Sequence, residues 1–251
     1  MEGSGTSFSA VHVTALAAIA KQYNRSIDCD AFKELLKDST VDLGTEGYDT
    51  TYGWGLIDVP EFVSQLMQDS ISFSDVSDHW AEDNIYSCVS RGLFYGMGNG
   101  MFMPNSAMNR AMAVTALYRL DGLPYLEDSS DPFEDVQTGQ WFTGAIDWAS
   151  ANAIVSGTGN GKFAPEKTIS RQELAVMLYR YARYQGLNLS LSADLSFNDA
   201  EEIAPWAKDA VTWAAGNAIV LGRTNGTFDP NAEASRAEVA AVLVRFTELY
   251  E

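Results

Sequence analysis

Residues 141–171, WFTGAIDWASANAIVSGTGNGKFAPEKTISR, decide the fold, because their frame occurs three times in the chain. With Trp80, Trp141 and Trp206 each counted as zero, a glycine follows at plus 16 (Gly96, Gly157, Gly222) and a phenylalanine at plus 22 (Phe102, Phe163, Phe228). A proline follows at plus 24 (Pro104, Pro165, Pro230) and an arginine at plus 30 (Arg110, Arg171, Arg236). Five residue types held at fixed offsets through three copies mark one supersecondary unit, repeated. Each copy opens slightly upstream on an F-x-D: Phe73/Asp75, Phe133/Asp135 and Phe197/Asp199.

Inside the frame, Trp141, Ala145, Trp148 and Ala149 share one face at offsets 0, 4, 7 and 8, which predicts a helix over residues 141–152. Trp206, Ala210, Trp213 and Ala214 repeat that face, and residues 80–91 supply the first copy with Trp80, Ile85 and Cys88 turned to the core. A glycine-rich loop comes next, GMGNGMFMP at residues 96–104, where glycines and Asn99 permit positive φ and let the backbone present N–H groups to a ligand. A second helix then opens at the arginine, behind Asn109, Ser170 or Ser235 as N-cap. Ser170 with Glu173, and Ser235 with Glu238, fit the capping box, whereas Met112 replaces that glutamate in repeat 1. Repeat 1 is therefore the degenerate copy, and Arg110 is expected to be held less firmly than Arg171 and Arg236.

The order F-x-D, W, helix, G-x-x-x-G-x-F-x-P and [ST]-R-x-E resembles the S-layer homology repeat, over residues 73–251. That resemblance implies three helix-loop-helix repeats in a pseudo-threefold arrangement, a mainly α fold, with boundaries at 73–124, 133–187 and 197–251. It also implies non-covalent anchoring to secondary cell-wall polysaccharide, through grooves that take pyruvylated amino-sugar units. By the same resemblance Arg110, Arg171 and Arg236, the early tryptophans Trp80, Trp141 and Trp206, and the loop glycines Gly96, Gly157 and Gly222 line those grooves.

The residues themselves leave two readings open. An arginine in the first helical turn opposes the helix dipole, so its presence in all three copies calls for a compensating partner. That partner is either an acid of the chain, such as Asp75, Asp135 or Asp199, or a carboxylate ligand gripped by the guanidinium. Trp148 and Trp213, mid-helix among alanines, read as core; the tryptophans at helix starts can cover the core with one edge and stack on a sugar with the other.

Composition narrows the partners. The net charge of −18 over 251 residues argues against nucleic acid, which needs basic surface, so any anionic ligand must be bound by local arginines against the global field. No stretch reaches the roughly 20 apolar residues of a membrane span, and membrane insertion is not expected. No cofactor or metal is called for. The start has an apolar run without a basic n-region, so it does not read as a signal peptide, although a wall-binding protein acts outside the cell. Cys29 and Cys88 are open to a disulfide or to a reading as two unpaired buried thiols, the latter preferred.

Residues 1–69 are a separate piece. GTSFSAVHVTALAAIA, residues 5–20, lacks a polar face and predicts a helix buried on most sides. Its G-T-S, small residues and H-V resemble the catalytic-serine helix of subtilisin-like serine proteases, with Val11 where that family has proline. Residues 52–59, YGWGLIDV, are similar to the G-x-G-x-[VI]-[DN]-A element that follows this helix and leads into a closing helix over residues 60–67. The resemblance makes Ser7 a nucleophile, yet a serine needs a histidine base and an orienting carboxylate. In that family both precede the serine, and six residues precede Ser7 here. His12 lies well round the helix and cannot substitute, while His79 reads as a surface or packing residue. Activity of this chain alone is not expected; the alternative to pure anchoring is that it forms the C-terminal part of a cell-surface subtilisin-like endopeptidase.

Overall fold

A computed structural model describes residues 6–23, 27–70, 72–124, 133–190 and 195–249. The chain divides into two compact units, Met1–Phe73 and Ser74–Glu251. The secondary structure is mainly helical, as the periodicity predicts.

The first unit holds α1 (Thr6–Tyr23), α2 (Cys29–Asp38), β1 (Thr40–Val41), β2 (Leu56–Ile57) and α3 (Val59–Ser70). Asp28 caps α2 by accepting from the amides of Asp30 and Ala31, and Asp58 accepts from Glu61 N at the head of α3. β1 and β2 pair antiparallel, Thr40 opposite Ile57. Gly55 makes this pairing possible: at φ +115° a Cβ would sit 2.2 Å from the Val41 carbonyl oxygen. A small core of Leu16, Ala20, Ile27, Leu35, Phe62 and Leu66 joins the three helices. The expectation that α1 is buried on most sides is corrected here. Leu16 and Ala20 are buried, but Ala10, Val11, His12, Thr14, Ala15 and Ala18 are exposed. Two small helices cover one stripe of α1, along Leu16 and Ala20. Cys29 and Cys88 are both free, and Cys29 is exposed rather than buried, at the first position of α2.

In the second unit each repeat gives one helix before its loop and one after it. These are α4 (Glu82–Ser90) and α5 (Arg110–Leu120), α6 (Thr143–Ala151) and α7 (Arg171–Tyr184), and α8 (Lys208–Gly216) and α9 (Arg236–Thr247). The predicted first helices are trimmed at their starts, so Trp80 and Trp141 sit just ahead of α4 and α6, and Trp206 sits in a 3-10 turn, Pro205–Ala207. Each first helix stops on a residue with positive φ, Gly92 (69°), Ala153 (54°) or Ala218 (55°). The following amide then bonds back five residues, as from Ile154 to Ala149 and Ile219 to Ala214, a Schellman closure.

Packing runs between repeats. α5 packs on α6, α7 on α8, and α9 returns to α4, so every second helix rests on the first helix of the next repeat and the third repeat closes onto the first. Backbone hydrogen bonds trace the same circle. The first amides of α5, at Arg110 and Ala111, donate to Lys167 and Pro165. Those of α7, at Arg171 and Gln172, donate to Ala232 and Pro230, and those of α9, at Arg236 and Ala237, to Ser106 and Pro104. Orphan donors of each helix end are thus satisfied by the neighbouring loop. At the centre Met108 N donates to Ala234 O, Ala234 N to Ile169 O and Ile169 N to Met108 O, each at 2.9 Å. Three equivalent residues closing a ring of hydrogen bonds define the pseudo-threefold axis, and all three side chains are fully buried.

Candidate functional site

The loops are fixed first. In repeat 2 the Asp135 carboxylate accepts from the amides of Phe163 (2.7 Å) and Ala164 (2.8 Å). Asp75 does the same for Phe102 and Met103, and Asp199 for Phe228 and Asp229. Burial alone would raise these carboxyls; the paired backbone N–H groups outweigh it and hold all three below the usual carboxylate range. The second residue of each pair takes positive φ, Met103 at 61°, Ala164 at 58° and Asp229 at 62°, which aims both amides at one carboxylate. The F-x-D aspartates are therefore loop staples, not partners of the arginines.

The loop glycines do two different jobs. Gly98, Gly100, Gly159, Gly161 and Gly226 have positive φ. Gly157 and Gly222, at the predicted groove position, do not; they are held by space. A Cβ on Gly157 would lie 2.9 Å from the Phe133 ring, and one on Gly222 2.8 Å from the Phe197 ring.

Arg110, Arg171 and Arg236 are 5%, 8% and 4% exposed, and each reaches into the next repeat rather than its own. Arg110 Nε donates to Phe163 O and Nη2 to Ser156 O. Arg171 makes the same pair with Phe228 O and Leu221 O, and Arg236 with Phe102 O and Tyr95 O. Each guanidinium also lies 4.3–5.1 Å from the ring centre of that phenylalanine, a cation–π contact. The dipole conflict at the helix start is resolved by carbonyls of the chain. Only Nη1 is left to face outward.

Three grooves open at those Nη1 atoms, each assembled from all three repeats. The first, of about 470 Å³, joins Arg110 of repeat 1 with Gly157, Lys167, Glu173 and Arg180 of repeat 2 and Trp206 of repeat 3. The second, of about 400 Å³, joins Arg171 of repeat 2 with Gly222, Arg223, Glu238 and Arg245 of repeat 3 and Trp80 of repeat 1. The third, of about 180 Å³, joins Arg236 of repeat 3 with Tyr95, Gly96, Met112 and Arg119 of repeat 1 and Trp141 of repeat 2. Every predicted arginine, early tryptophan and loop glycine lies in one of them. Trp80, Trp141 and Trp206 are 62%, 57% and 60% exposed, while Trp148 and Trp213 are 1% exposed and belong to the core.

One carboxylate oxygen of Glu173 accepts from Ser170 N, closing the capping box, and the other lies 3.8 Å from Arg110 Nη1 and 3.0 Å from Lys167 Nζ. Burial would raise this carboxyl; its hydrogen bonds and the two cations hold it low. Glu238 repeats the plan, with Ser235 N on one oxygen and the other 2.9 Å from Arg171 Nη1 and 3.3 Å from Arg223 Nη1. The expectation for Met112 is corrected by this geometry. Its missing carboxylate does not weaken Arg110, which faces Glu173; it falls on Arg236, whose groove Met112 lines.

Sequence reasoning missed the second arginine of each groove, Arg119, Arg180 or Arg245. All three stand at plus 39 in the frame, so the offset count that found the others applies to them too. Each groove thus holds at least two arginines and at most one acid, in a chain of net charge −18.

For Ser7, α1 includes the residue in its first turn, but its side chain lies outside the described residues. His12, five residues on, is exposed. Among the described residues no cluster of histidine, cysteine and carboxylate side chains could hold a metal ion, and no helix is long and apolar enough to cross a membrane.

Comparison with known proteins places residues 72–113, 132–175 and 196–240 in the S-layer homology domain family, over half of the chain, and the subtilase family model matches residues 1–55. Exoglucanase XynX of Acetivibrio thermocellus is 30% identical over 202 residues, 79% of this chain and 18% of that protein. Amylopullulanase of Thermoanaerobacterium thermosulfurigenes is 32% identical over 181 residues, 70% and 10%. An S-layer protein of Bacillus thuringiensis subsp. finitimus is 30% identical over 184 residues, 73% and 22%. The chain therefore spans only about a tenth to a fifth of the length of these relatives.

Proposed function

Because the chain belongs to the S-layer homology domain family, we propose that its three-repeat unit is a cell-surface anchor that binds cell-wall polysaccharide in the three inter-repeat grooves. The observation that carries this reading is the local inversion of charge. Two or more cations converge in each groove of a strongly acidic protein, beside an exposed tryptophan. Guanidinium groups suit a carboxylated sugar, and the indole face suits its ring. Pyruvylated amino-sugar units of a secondary wall polymer meet both demands. The relatives fit this reading: proteins named for different enzymes and a protein named for the S-layer share the segment, as expected of a tether.

Co-sedimentation with purified wall sacculi tests the proposal. The chain is expected to pellet with native sacculi and to stay in solution with sacculi stripped of their secondary polymer by hydrofluoric acid. Equal pelleting with both would overturn it.

A second reading follows from the subtilase match and the position of Ser7 in the first turn of α1. In this reading the anchored cargo is a subtilisin-like serine endopeptidase whose last catalytic segment is residues 1–69. In that family the histidine base and the orienting carboxylate precede the serine in the chain, so a fluorophosphonate probe is expected to leave this chain unlabelled. Stoichiometric labelling that Ser7→Ala abolishes would show a working nucleophile instead.

A further inference from the structure

Repeat 1 differs from the other two in its sulfur content. Five of the eight methionines of the chain fall within residues 97–112, and neither other repeat has a methionine at any of the corresponding offsets. Core filling does not account for the outer three, since Met97, Met101 and Met103 are 47%, 39% and 41% exposed. Thr158 and Arg223 stand at the offset of Met97, so that position suits a polar side chain as well. A tight turn sets the loop: Met97 N donates to Met101 O at 2.8 Å and Met101 N to Gly98 O at 3.0 Å, with Gly98, Asn99 and Gly100 at positive φ. Of the three outer methionines Met97 lines the groove of Arg236, together with half-buried Met112, Tyr95, Arg119 and Trp141. Met177, 4% exposed, lines the groove of Arg110, and among the described residues no methionine lines that of Arg171.

An exposed thioether is open to two-electron oxidation by a peroxide. The sulfur attacks one peroxide oxygen, an S–O bond forms as the O–O bond breaks, and the proton of the transferred hydroxyl passes to the departing hydroxide, leaving a sulfoxide and water. The thiol of the same unit does not compete: Cys88 is fully buried, and burial pushes its thiol up to about 12. We propose that Met97 is an oxidation site through which a peroxide weakens the groove of Arg236 while leaving the other two grooves as they were. The thioether is a weak acceptor, and the sulfoxide oxygen is a strongly polar one. Two cations line this groove, Arg236 and Arg119, the latter donating to Leu93 O and lying 4.4 Å from the centre of the Tyr95 ring. A new acceptor on the wall competes with an anionic ligand for their guanidinium donors. Met101 and Met103 lie outside the lining of the groove, so their oxidation leaves it unchanged. The inference rests on the anchoring proposal only in taking the grooves as ligand sites.

The test uses the full chain with Cys29→Ser, because Cys29 is an exposed thiol that would also take up oxidant. Hydrogen peroxide is added in steps, and peptide mass mapping follows the gain of one oxygen at each methionine. At each step methyl β-glucuronide, a carboxylated sugar, is titrated while NMR follows the indole N–H signals of Trp206, Trp80 and Trp141, which line the Arg110, Arg171 and Arg236 grooves respectively. Met97, Met101 and Met103 are expected to be oxidised before Met108, Met112 and Met177. Once Met97 carries oxygen, the affinity read at Trp141 should fall about tenfold, the value of one hydrogen bond to a charged group, while Trp80 and Trp206 stay within about twofold. Methionine sulfoxide reductases should restore it, which irreversible damage to Trp141 would not allow. Met97→Leu should bind as the parent does and resist peroxide, whereas Met101→Leu with Met103→Leu should stay sensitive. Oxidation of Met177 before Met97, an unchanged Trp141 response with Met97 oxidised, an equal loss at all three tryptophans, a Met97→Leu variant as sensitive as the parent, or no response at Trp141 before oxidation would each overturn the inference. Sacculus binding is scored separately: failure of the unoxidised chain to pellet refutes anchoring whatever becomes of Met97, and a chain that pellets while Trp141 responds equally before and after oxidation refutes this inference alone.

Discussion

At the scale of single residues, the first-turn arginines hold the protein together as much as they form its surface. Removing Arg110 would leave the carbonyls of Phe163 and Ser156 buried without their donor and would open a void over the Phe163 ring. A buried acceptor left unpaired costs about 1–3 kcal/mol, so Arg110→Ala should lose about 2–4 kcal/mol of folding stability. In a unit of this size that is a fall in Tm of roughly 5–15 °C. Weak wall binding by such a variant would not by itself show that the guanidinium touches sugar. The half-buried second arginine separates the two roles. Arg180 gives one hydrogen bond, to Ser156 Oγ, and faces the groove. Arg180→Ala should keep its thermal midpoint within about 2 °C of the parent while its affinity for sacculi drops roughly tenfold, the value of one hydrogen bond to a charged group. Should calorimetry and sedimentation move together for both variants, the grooves are structural and bind nothing through arginine.

At the scale of elements, one difference between repeats can be turned into a measurement. The first helix ends on Gly92 in repeat 1 but on Ala153 and Ala218 in repeats 2 and 3, all in the left-handed conformation that disfavours a Cβ. Ala153→Gly should therefore stabilise the second unit by about 0.5–1 kcal/mol, since relief of the left-handed strain outweighs the added freedom of the unfolded chain. Gly92→Ala should cost about as much, and chemical denaturation of both variants checks the signs. The same comparison shows what the sequence could reveal. Apolar offsets of 0, 4, 7 and 8 locate α6 and α8, and Ser with Glu three residues later fixes where α7 and α9 begin. Periodicity names the face that is buried and not the element it is buried against. Nothing in the offsets says that Arg110 belongs to the Phe163 loop, 53 residues on, and not to its own Phe102. Met112, two residues after Arg110 in sequence, therefore bears on the groove of Arg236. The same holds for α1: a helix without a polar face states a need for cover, and among its described residues the first unit buries Leu16 and Ala20, with Ile19 packed beside them.

At the scale of the molecule, the three repeats form a ring, and a ring responds to truncation differently from a row. In a linear solenoid each repeat contacts only its neighbours, so removing an end repeat leaves the others folded with a modest loss. Here repeat 3 touches both others: α9 lies on α4, Arg236 holds the carbonyls of Phe102 and Tyr95, and Ala234 takes two of the three axial hydrogen bonds. Deleting residues 195–251 would strip Arg171 of its Phe228 and Leu221 acceptors, uncover the α4 face that α9 covers, and break the axial ring at two points. Each break exposes apolar surface or strands a buried polar group, and the losses fall on both remaining repeats at once. The intact chain should show one cooperative thermal transition for its second unit, monitored by near-ultraviolet circular dichroism of the buried tryptophans. The truncated chain should keep helical signal in the far ultraviolet but lose that near-ultraviolet band and any sharp transition. A truncated chain that melts cooperatively within about 5 °C of the parent would mean that two repeats suffice, and that closure of the circle serves to build the grooves without being needed to fold them.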